Sequence, residues 1–119
     1  RPVKILVCGG RTFSDWALLS DSLDVIRSKH EIDEVIHGAA PGADTLADTW
    51  ARSRGIPVRR FIARWMTEGR AAGPLRNARM LAEGKPDVVI AFPGGKGTAD
   101  MKERAFQAGI EVVEIIGAA

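Results

Sequence analysis

Residues 93–98, with the sequence PGGKGT, have the composition of a phosphate-binding loop. They follow an apolar run at residues 87–92 and precede a stretch of helical periodicity that starts at Ala99. Because glycine lacks a Cβ atom, the backbone N–H groups of such a loop can approach an anion closely. The first N–H groups of the following helix lack partners inside the helix and lie at the positive end of its dipole. This segment therefore indicates a nucleotide or a phosphosugar as ligand, with contacts from Pro93, Gly94, Gly95, Gly97 and Thr98.

Two further predicted strands also run into glycine-containing segments. The residues concerned are Gly9, Gly10 and Arg11 after the first strand and Gly38, Gly42 and Asp44 after the second. A single such glycine is explained by a tight turn between a strand and a helix. In open parallel sheets, however, ligands bind at the carboxyl ends of the strands where the strand order reverses. The three segments together therefore favour one shared ligand site.

Arg76 is the main candidate for a side chain that contacts phosphate. It falls in the first turn of a predicted helix that begins at Pro74, where a missing N–H costs nothing. Cationic side chains are usual at the opposite end of a helix, because the N-terminus is already positive. An arginine in the first turn therefore suggests an anion that the helix end and the guanidinium group share. The alternative is a solvated surface arginine.

Two common phosphate motifs are excluded by spacing. A P-loop requires serine or threonine directly after Gly-Lys and another glycine five positions before the first, but Gly97 follows Lys96 and Ile90 occupies the earlier position. Gly9 and Gly10 do not continue as the G-x-G-x-x-G dinucleotide fingerprint. An ordinary ATPase or a nicotinamide-dependent dehydrogenase is therefore not expected.

The elements that must position these loops alternate along the chain as strands and helices. Strands are predicted at residues 3–8, 34–37, 58–62, 88–92 and 111–116, and helices are predicted to begin near Ser14, Gly42, Pro74 and Gly97. Three helices are expected to end in glycines with left-handed backbone, namely Gly55, Gly84 and Gly109. This order predicts an α/β fold: a single Rossmann-like domain over residues 1–119, with a five-stranded parallel sheet and helices on both faces.

Composition excludes several classes of protein. With 119 residues and 45% apolar residues, the chain is expected to form one core. Seventeen basic residues nearly balance fifteen acidic ones, and no basic stripe is evident, so nucleic acid is not expected as a partner. The single cysteine, Cys8, excludes an intramolecular disulfide. Since no apolar run approaches about 20 residues and no signal peptide is recognisable, the chain is predicted to be cytoplasmic and without membrane contact.

One set of residues, spread over nearly the whole chain, carries a family resemblance. The set comprises Gly9, Gly10, Arg11 and Phe13, then residues 37–44, Trp65, Gly69, Ala72, Gly73, Pro74, Arg76 and Asn77, and finally residues 93–98. It resembles the SLOG superfamily, which includes the LONELY GUY phosphoribohydrolases, often labelled lysine decarboxylase-like, and the DNA-processing protein A group. It is most similar to the small YspA-type, YpsA-related SLOG family of bacteria and their phages. The resemblance implies a Rossmann-like fold that binds a nucleotide or a nucleotide derivative.

The same resemblance leaves catalysis open. In the LONELY GUY enzymes the glycine loop continues Gly-Thr-x-x-Glu, and that glutamate assists cleavage of the N-glycosidic bond. Here Met101 occupies the glutamate position, and methionine can neither give nor take a proton. Asp100 is one residue away and would point roughly 100° around the helix, so it could substitute only if the loop were rearranged. Arg76 matches an arginine of those enzymes, but Asn77 replaces the lysine that follows it.

The remaining candidates each allow two interpretations. Asp44 is either a helix-capping carboxylate or a ligand for ribose hydroxyls. Trp65 lies in an irregular segment, residues 63–73, and either stacks on a base or packs on the sheet edge. Cys8 and His37 could form a thiolate pair, but no third orienting residue is evident and a buried structural cysteine is preferred. No metal-ligand spacing is found, and no cofactor is predicted.

Together these observations predict a module that binds a nucleotide or a nucleotide derivative at the C-terminal edge of the sheet, as a sensor or regulator. The alternative is a phosphoribohydrolase-like enzyme that releases free base and ribose 5-phosphate, using Asp100, Asp44 or a bound water. Met101 favours binding without cleavage, because the expected catalytic carboxylate is absent there. The sequence leaves a homodimer open and does not name the base.

Overall fold

The computed structural model describes residues 1–117 and forms one sheet of five parallel strands in the order β3-β2-β1-β4-β5. The strands are β1 (Val3–Cys8), β2 (Ile32–His37), β3 (Val58–Arg60), β4 (Val88–Ala91) and β5 (Glu111–Glu114). The helices are α1 (Trp16–Lys29), α2 (Ala43–Ser53), α3 (Trp65–Glu68), α4 (Ala72–Gly84) and α5 (Lys96–Gln107), with a turn of 3₁₀ helix (Gly69–Ala71) between α3 and α4. The predicted α/β, Rossmann-like fold is therefore confirmed.

Helices cover both faces of the sheet, as the buried residues of the central strand show. Ile5 and Val7 of β1 belong to a buried cluster with residues of α1 and α2. Leu6 and Cys8 of the same strand belong to a second cluster with residues of α4 and α5. β1 is paired with β2 on one side and β4 on the other, so the strand order reverses beside it. The carboxyl ends of β1 and β4 are thus the place where such folds bind ligands.

The boundaries of several elements differ from those predicted. β2 begins at Ile32, whereas β3 stops at Arg60 and leaves Ile62 71% exposed. β5 stops at Glu114. The short helix α3 was not predicted, because a helix of 4 residues is too short to show a period. α4 begins at Ala72, so Pro74 still lies in its first turn, where the missing N–H is tolerated.

The glycines that follow the helices divide into two cases. Gly55 and Gly109 adopt the predicted left-handed backbone, with φ of +69° and +73°. The prediction for Gly84 is wrong, because Lys85 is the left-handed residue at that helix end, with φ of +50°. Gly84 is instead the last residue of α4, and a Cβ atom there would lie 3.1 Å from Cδ1 of Ile36. The presence of glycine at position 84 is therefore explained by the limited space between α4 and the sheet, and not by the backbone conformation.

Candidate ligand-binding site

A cleft of about 800 Å³ lies at the carboxyl ends of β1 and β4, where the strand order reverses. Its volume falls in the range of pockets that hold small molecules and cofactors. The predicted site residues that line it are Gly9, Gly10, Arg11, Asp44, Trp65, Arg76, Asn77, Pro93, Gly94, Gly95, Gly97 and Thr98. Gly38 and Gly42 are not among the lining residues. The structure thus brings together residues from opposite ends of the chain, as the sequence indicated.

The N-terminus of α5 faces the cleft with unused hydrogen-bond donors. Gly95 is the N-cap residue of α5, and glycine has no side chain that could cap the helix. Within residues 1–117, the backbone N–H groups of Lys96, Gly97 and Thr98 have no acceptor. Thr98 is only 5% exposed, lines the cleft, and its hydroxyl has no hydrogen-bond partner in the same range. An unpaired hydroxyl and free helix-terminal N–H groups at one point suit an anion.

The glycines of the cleft have two different roles. A Cβ atom on Gly94 would lie 2.6 Å from the nitrogen of Gly10, so the two loops pack backbone to backbone. The Gly10 N–H donates to the carbonyl oxygen of Pro93 over 2.8 Å and is therefore not free for a ligand. By contrast, no atom lies within 4 Å of a Cβ atom built on Gly95 or Gly97. Packing does not require glycine at those two positions, and the missing Cβ atoms leave room for a ligand to approach the backbone closely.

Gly38 and Gly42 shape the site from outside the cleft. Gly42 has φ of +83°, and a Cβ atom there would lie 2.7 Å from the carbonyl carbon of Arg11. It is therefore required where the loop after β2 packs on the loop after β1. Gly38 lies beneath a guanidinium group, since a Cβ atom there would lie 2.5 Å from Nη1 of Arg76. Both glycines position neighbouring residues of the site.

Arg76 is anchored by protein contacts and still has donors to spare. It donates from Nη1 to the carbonyl oxygen of Gly38 and from Nε to Oδ1 of Asn77 over 3.0 Å. Burial, and the nearby charge of Arg11, lower the pKa of Arg76, while Asp44 opposes that shift. Two of the five N–H donors of the guanidinium group are used in this way, so the remainder can bind an anion. The side chain is partly buried at the cleft, and it is not the freely solvated surface arginine of the alternative interpretation.

Asn77 joins Arg76 to the glycine loop. Its amide nitrogen donates to the carbonyl oxygen of Gly97 over 3.2 Å and to Oδ2 of Asp100 over 3.0 Å. The side chain is 4% exposed, so these bonds form away from bulk water. A lysine here would be unable to accept the hydrogen bond from Arg76. Asn77 therefore holds the arginine and the N-terminus of α5 in a fixed relation.

Asp44 organises the loop after β2 and retains one carboxylate oxygen at the cleft. Oδ2 accepts hydrogen bonds from the N–H groups of Gly38 and Ala40, over 3.1 and 3.2 Å. The residue is 7% exposed, and Oδ1 has no partner within residues 1–117. Burial raises the pKa of Asp44, against the hydrogen bond from Ala40 and the charge of Arg76. The loop-organising role is visible in these contacts, and Oδ1 remains free for a ligand hydroxyl.

His37 and Cys8 do not form a catalytic pair. The Ala39 N–H donates to Nδ1 of His37 over 2.9 Å, and Nε2 lies 2.6 Å from Oδ2 of Asp48. Both ring nitrogens are therefore occupied by structural contacts. Burial raises the pKa of Cys8 to about 12, which suits a structural thiol. Burial would also raise the pKa of Asp48, but hydrogen bonds from Arg60 and His37 outweigh it and hold that pKa well below its usual range.

Met101 and Asp100 face different surroundings. Met101 is 1% exposed and packs in the cluster between α4, α5 and the sheet, which agrees with its interpretation as a core residue. Asp100 lines the cleft. It is held there by Asn77 and by Arg104, whose Nε lies 2.9 Å from Oδ2. At this end of α5, the side of the helix that faces away from the core faces the cleft.

The segment of α3 and the 3₁₀ turn contributes Trp65 and Arg70 to the cleft. Trp65 is 50% exposed, and its Cη2 lies 3.6 Å from a Cβ position on Gly73. The indole ring of Trp65 is thus half exposed at the cleft. Sequence reasoning did not select Arg70 or Lys96, which both line the cleft. Lys96 lies inside the glycine segment itself and could have been selected, whereas Arg70 follows no period or motif.

Residues 1–117 contain neither a candidate metal site nor a candidate membrane-spanning helix. No group of three or more His, Cys, Asp or Glu side chains is arranged to hold a metal ion there. Over the same residues, no helix combines the length and the apolar character that a membrane span requires.

Three comparisons with known proteins relate this site to a family. The family model described as "YspA, cpYpsA-related SLOG family" matches residues 3–67. The Gene 61 protein of Mycobacterium phage D29 is 39% identical over a match that covers 92% of this chain and 94% of that protein. The X-ray structure of DNA processing protein A (DprA) from Streptococcus pneumoniae superimposes with a TM-score of 0.53 at 17% identity, covering 94% of this chain and 58% of that one. This chain thus spans little more than half of the DprA chain, and at that identity the likeness concerns the fold alone. The chain belongs to the YspA, cpYpsA-related SLOG family.

Proposed function

We propose that this protein binds a nucleotide or a nucleotide derivative in the cleft at the carboxyl ends of β1 and β4, as a sensor or regulatory module. The observation that carries the proposal is the N-terminus of α5, where free N–H groups and the hydroxyl of Thr98 lie at the cleft with Arg76. Helix dipole, backbone donors and guanidinium all favour a negative charge at one point. Membership of a SLOG family is in keeping with a nucleotide-related function.

The rest of the cleft supports a nucleoside attached to that phosphate. Oδ1 of Asp44 offers an acceptor for ribose hydroxyls, and it is paired with none of residues 1–117. The half-exposed ring of Trp65 offers a surface on which a base can stack. Residues on three sides of the cleft thus match the three parts of a nucleotide.

The direct test is calorimetric titration with ribonucleoside 5′-monophosphates and 5′-diphosphates of the four common bases. Arg76→Ala should abolish binding, because it removes the guanidinium group that is expected to share the phosphate with α5, and Arg76→Lys should restore part of it through charge alone. Lys29→Ala removes an equal charge from the last turn of α1 and should leave binding unchanged. Mass spectrometry of small molecules released by denaturing the purified protein would name the base. If no nucleotide of the panel binds and none is released, the proposal is wrong.

A second candidate function is hydrolysis of a nucleotide N-glycosidic bond, and one observation favours it. Asp44 and Asp100 both line the cleft, and such cleavage commonly uses a pair of carboxylates. We favour binding alone because the residue in the position of the family glutamate, Met101, is buried in the core. Incubation with the same nucleotides and a search for free base and ribose 5-phosphate separates the two functions. Release above the buffer blank that is lost in Asp100→Asn would overturn our preference.

A further inference from the structure

Three cationic side chains at the cleft take part in none of the contacts described above. They are Arg11 in the loop after β1, Arg70 in the 3₁₀ turn and Lys96 at the start of α5, here named the rim cations. All of them are exposed. Among residues 1–117 none forms an ion pair with a carboxylate, whereas Arg52 and Arg60 both pair with Asp48 elsewhere on the surface.

The rim cations converge on the cleft although their charges repel one another. They come from separate elements, so sequence proximity does not explain their position. Among residues 1–117, only Asp44 and Asp100 supply carboxylates to the same lining, and Arg104 already pairs with Asp100. Counting Arg76, the cleft therefore carries an excess of positive charge that no protein group balances within residues 1–117.

One phosphate does not account for these groups. A terminal phosphate has three strong acceptor oxygens and a charge of about −1.5 to −2. The free N–H groups at the start of α5, the hydroxyl of Thr98 and the spare donors of Arg76 already suffice to bind those oxygens. The rim cations would then have no phosphate oxygen left to bind.

We propose that the ligand carries at least two linked phosphates, the first at the N-terminus of α5 beside Arg76 and the second among the rim cations. This inference rests on the proposed function and deepens it. The ligand class becomes a nucleoside diphosphate, free or as a diphosphate ester, and not a nucleoside monophosphate. The diphosphate lies across the point where the strand order reverses, and the base extends towards Trp65.

The experiment compares 5′-mono- and 5′-diphosphates of the same nucleoside by calorimetry at fixed ionic strength, on wild type and on Arg11→Gln, Arg70→Gln and Lys96→Gln. Each rim side chain makes no hydrogen bond to residues 1–117, so these variants should fold as wild type, which a thermal melt checks. Wild type should bind the diphosphate on the order of tenfold more tightly, or more, since a hydrogen bond to a charged group contributes about that factor. Each rim variant should lose on the order of tenfold in diphosphate affinity and clearly less in monophosphate affinity, because the second phosphate is the one that lies among the rim cations.

Lys29→Gln is the matched control, because it removes one positive charge at an exposed position on α1 that does not line the cleft. It should leave both affinities unchanged. Equal affinity of wild type for mono- and diphosphate, or equal loss of both affinities in the rim variants, would overturn the second phosphate while leaving nucleotide binding intact. Absence of binding by either series would overturn the proposed function and this inference with it.

Discussion

Replacing Gly97 by alanine should separate ligand binding from stability. Gly97 is in the first turn of α5, and no atom lies within 4 Å of a Cβ atom built on it. The new methyl group therefore meets no protein atom, and alanine is the better helix former by about 0.5 to 1 kcal/mol. The variant should melt at a temperature about 2 to 4 °C higher than wild type. The methyl group projects beside the cleft, however, and should keep a phosphate from the N–H groups of the helix end.

The expected loss of affinity is on the order of tenfold or more, the value of one charge-assisted hydrogen bond. Gly109→Ala is the matched control, because Gly109 also has no atom within 4 Å of a Cβ position but has φ of +73°. Alanine in that left-handed conformation costs about 1 kcal/mol or more, so the variant should melt lower while binding stays unchanged. The assays are a thermal melt and calorimetry with the best-binding nucleotide of the panel. Unchanged affinity in Gly97→Ala would refute the close approach of a ligand to this helix end.

Three further substitutions test other parts of the account. Gly38→Ala should displace Arg76 from the carbonyl oxygen of residue 38 and weaken nucleotide binding on the order of tenfold, although residue 38 does not line the cleft; calorimetry showing full affinity would contradict this. The pKa of Asp48 is lowered in the folded state, so its contribution to stability is present above the unfolded pKa and is lost as pH falls towards the folded pKa. Asp48→Asn should therefore lower the free energy of unfolding at neutral pH. Below about pH 4, the free energy of unfolding measured with denaturant should depend less on pH in this variant than in wild type. Met101→Glu should destabilise the protein by several kcal/mol, because it buries an unpaired carboxylate in the core, and should create no glycosidic hydrolysis; a folded, active variant would contradict the core assignment.

The order of strands and helices could be predicted because it depends on local patterns. Apolar runs of strand length and amphipathic stretches are properties of short segments, and parallel pairing follows from their alternation. The glycine loop could be selected for the same reason, since residues 93–98 are contiguous. Because ligands bind at the carboxyl ends of the strands in such sheets, Arg76 and the loops could also be predicted to lie at one cleft.

The contacts that position the site depend on packing between segments that are distant in the sequence. No local pattern of residues predicts such packing. Nothing local distinguishes Gly38, which makes room for a guanidinium group, from Gly97, which has open space beside it. The bond from His37 to Asp48 crosses from β2 to α2 and has no motif. Arg70 lines the cleft from the 3₁₀ turn that follows α3, a helix that the sequence did not predict.

The central claim is that a nucleotide phosphate binds at the N-terminus of α5, and amide NMR during titration tests it most directly. A nucleoside 5′-diphosphate would be added to ¹⁵N-labelled protein while the backbone amide shifts are followed. The account predicts that the largest shift changes fall on Lys96, Gly97 and Thr98, whose N–H groups have no acceptor among residues 1–117. Changes centred elsewhere, with these three amides unmoved at saturation, would contradict it.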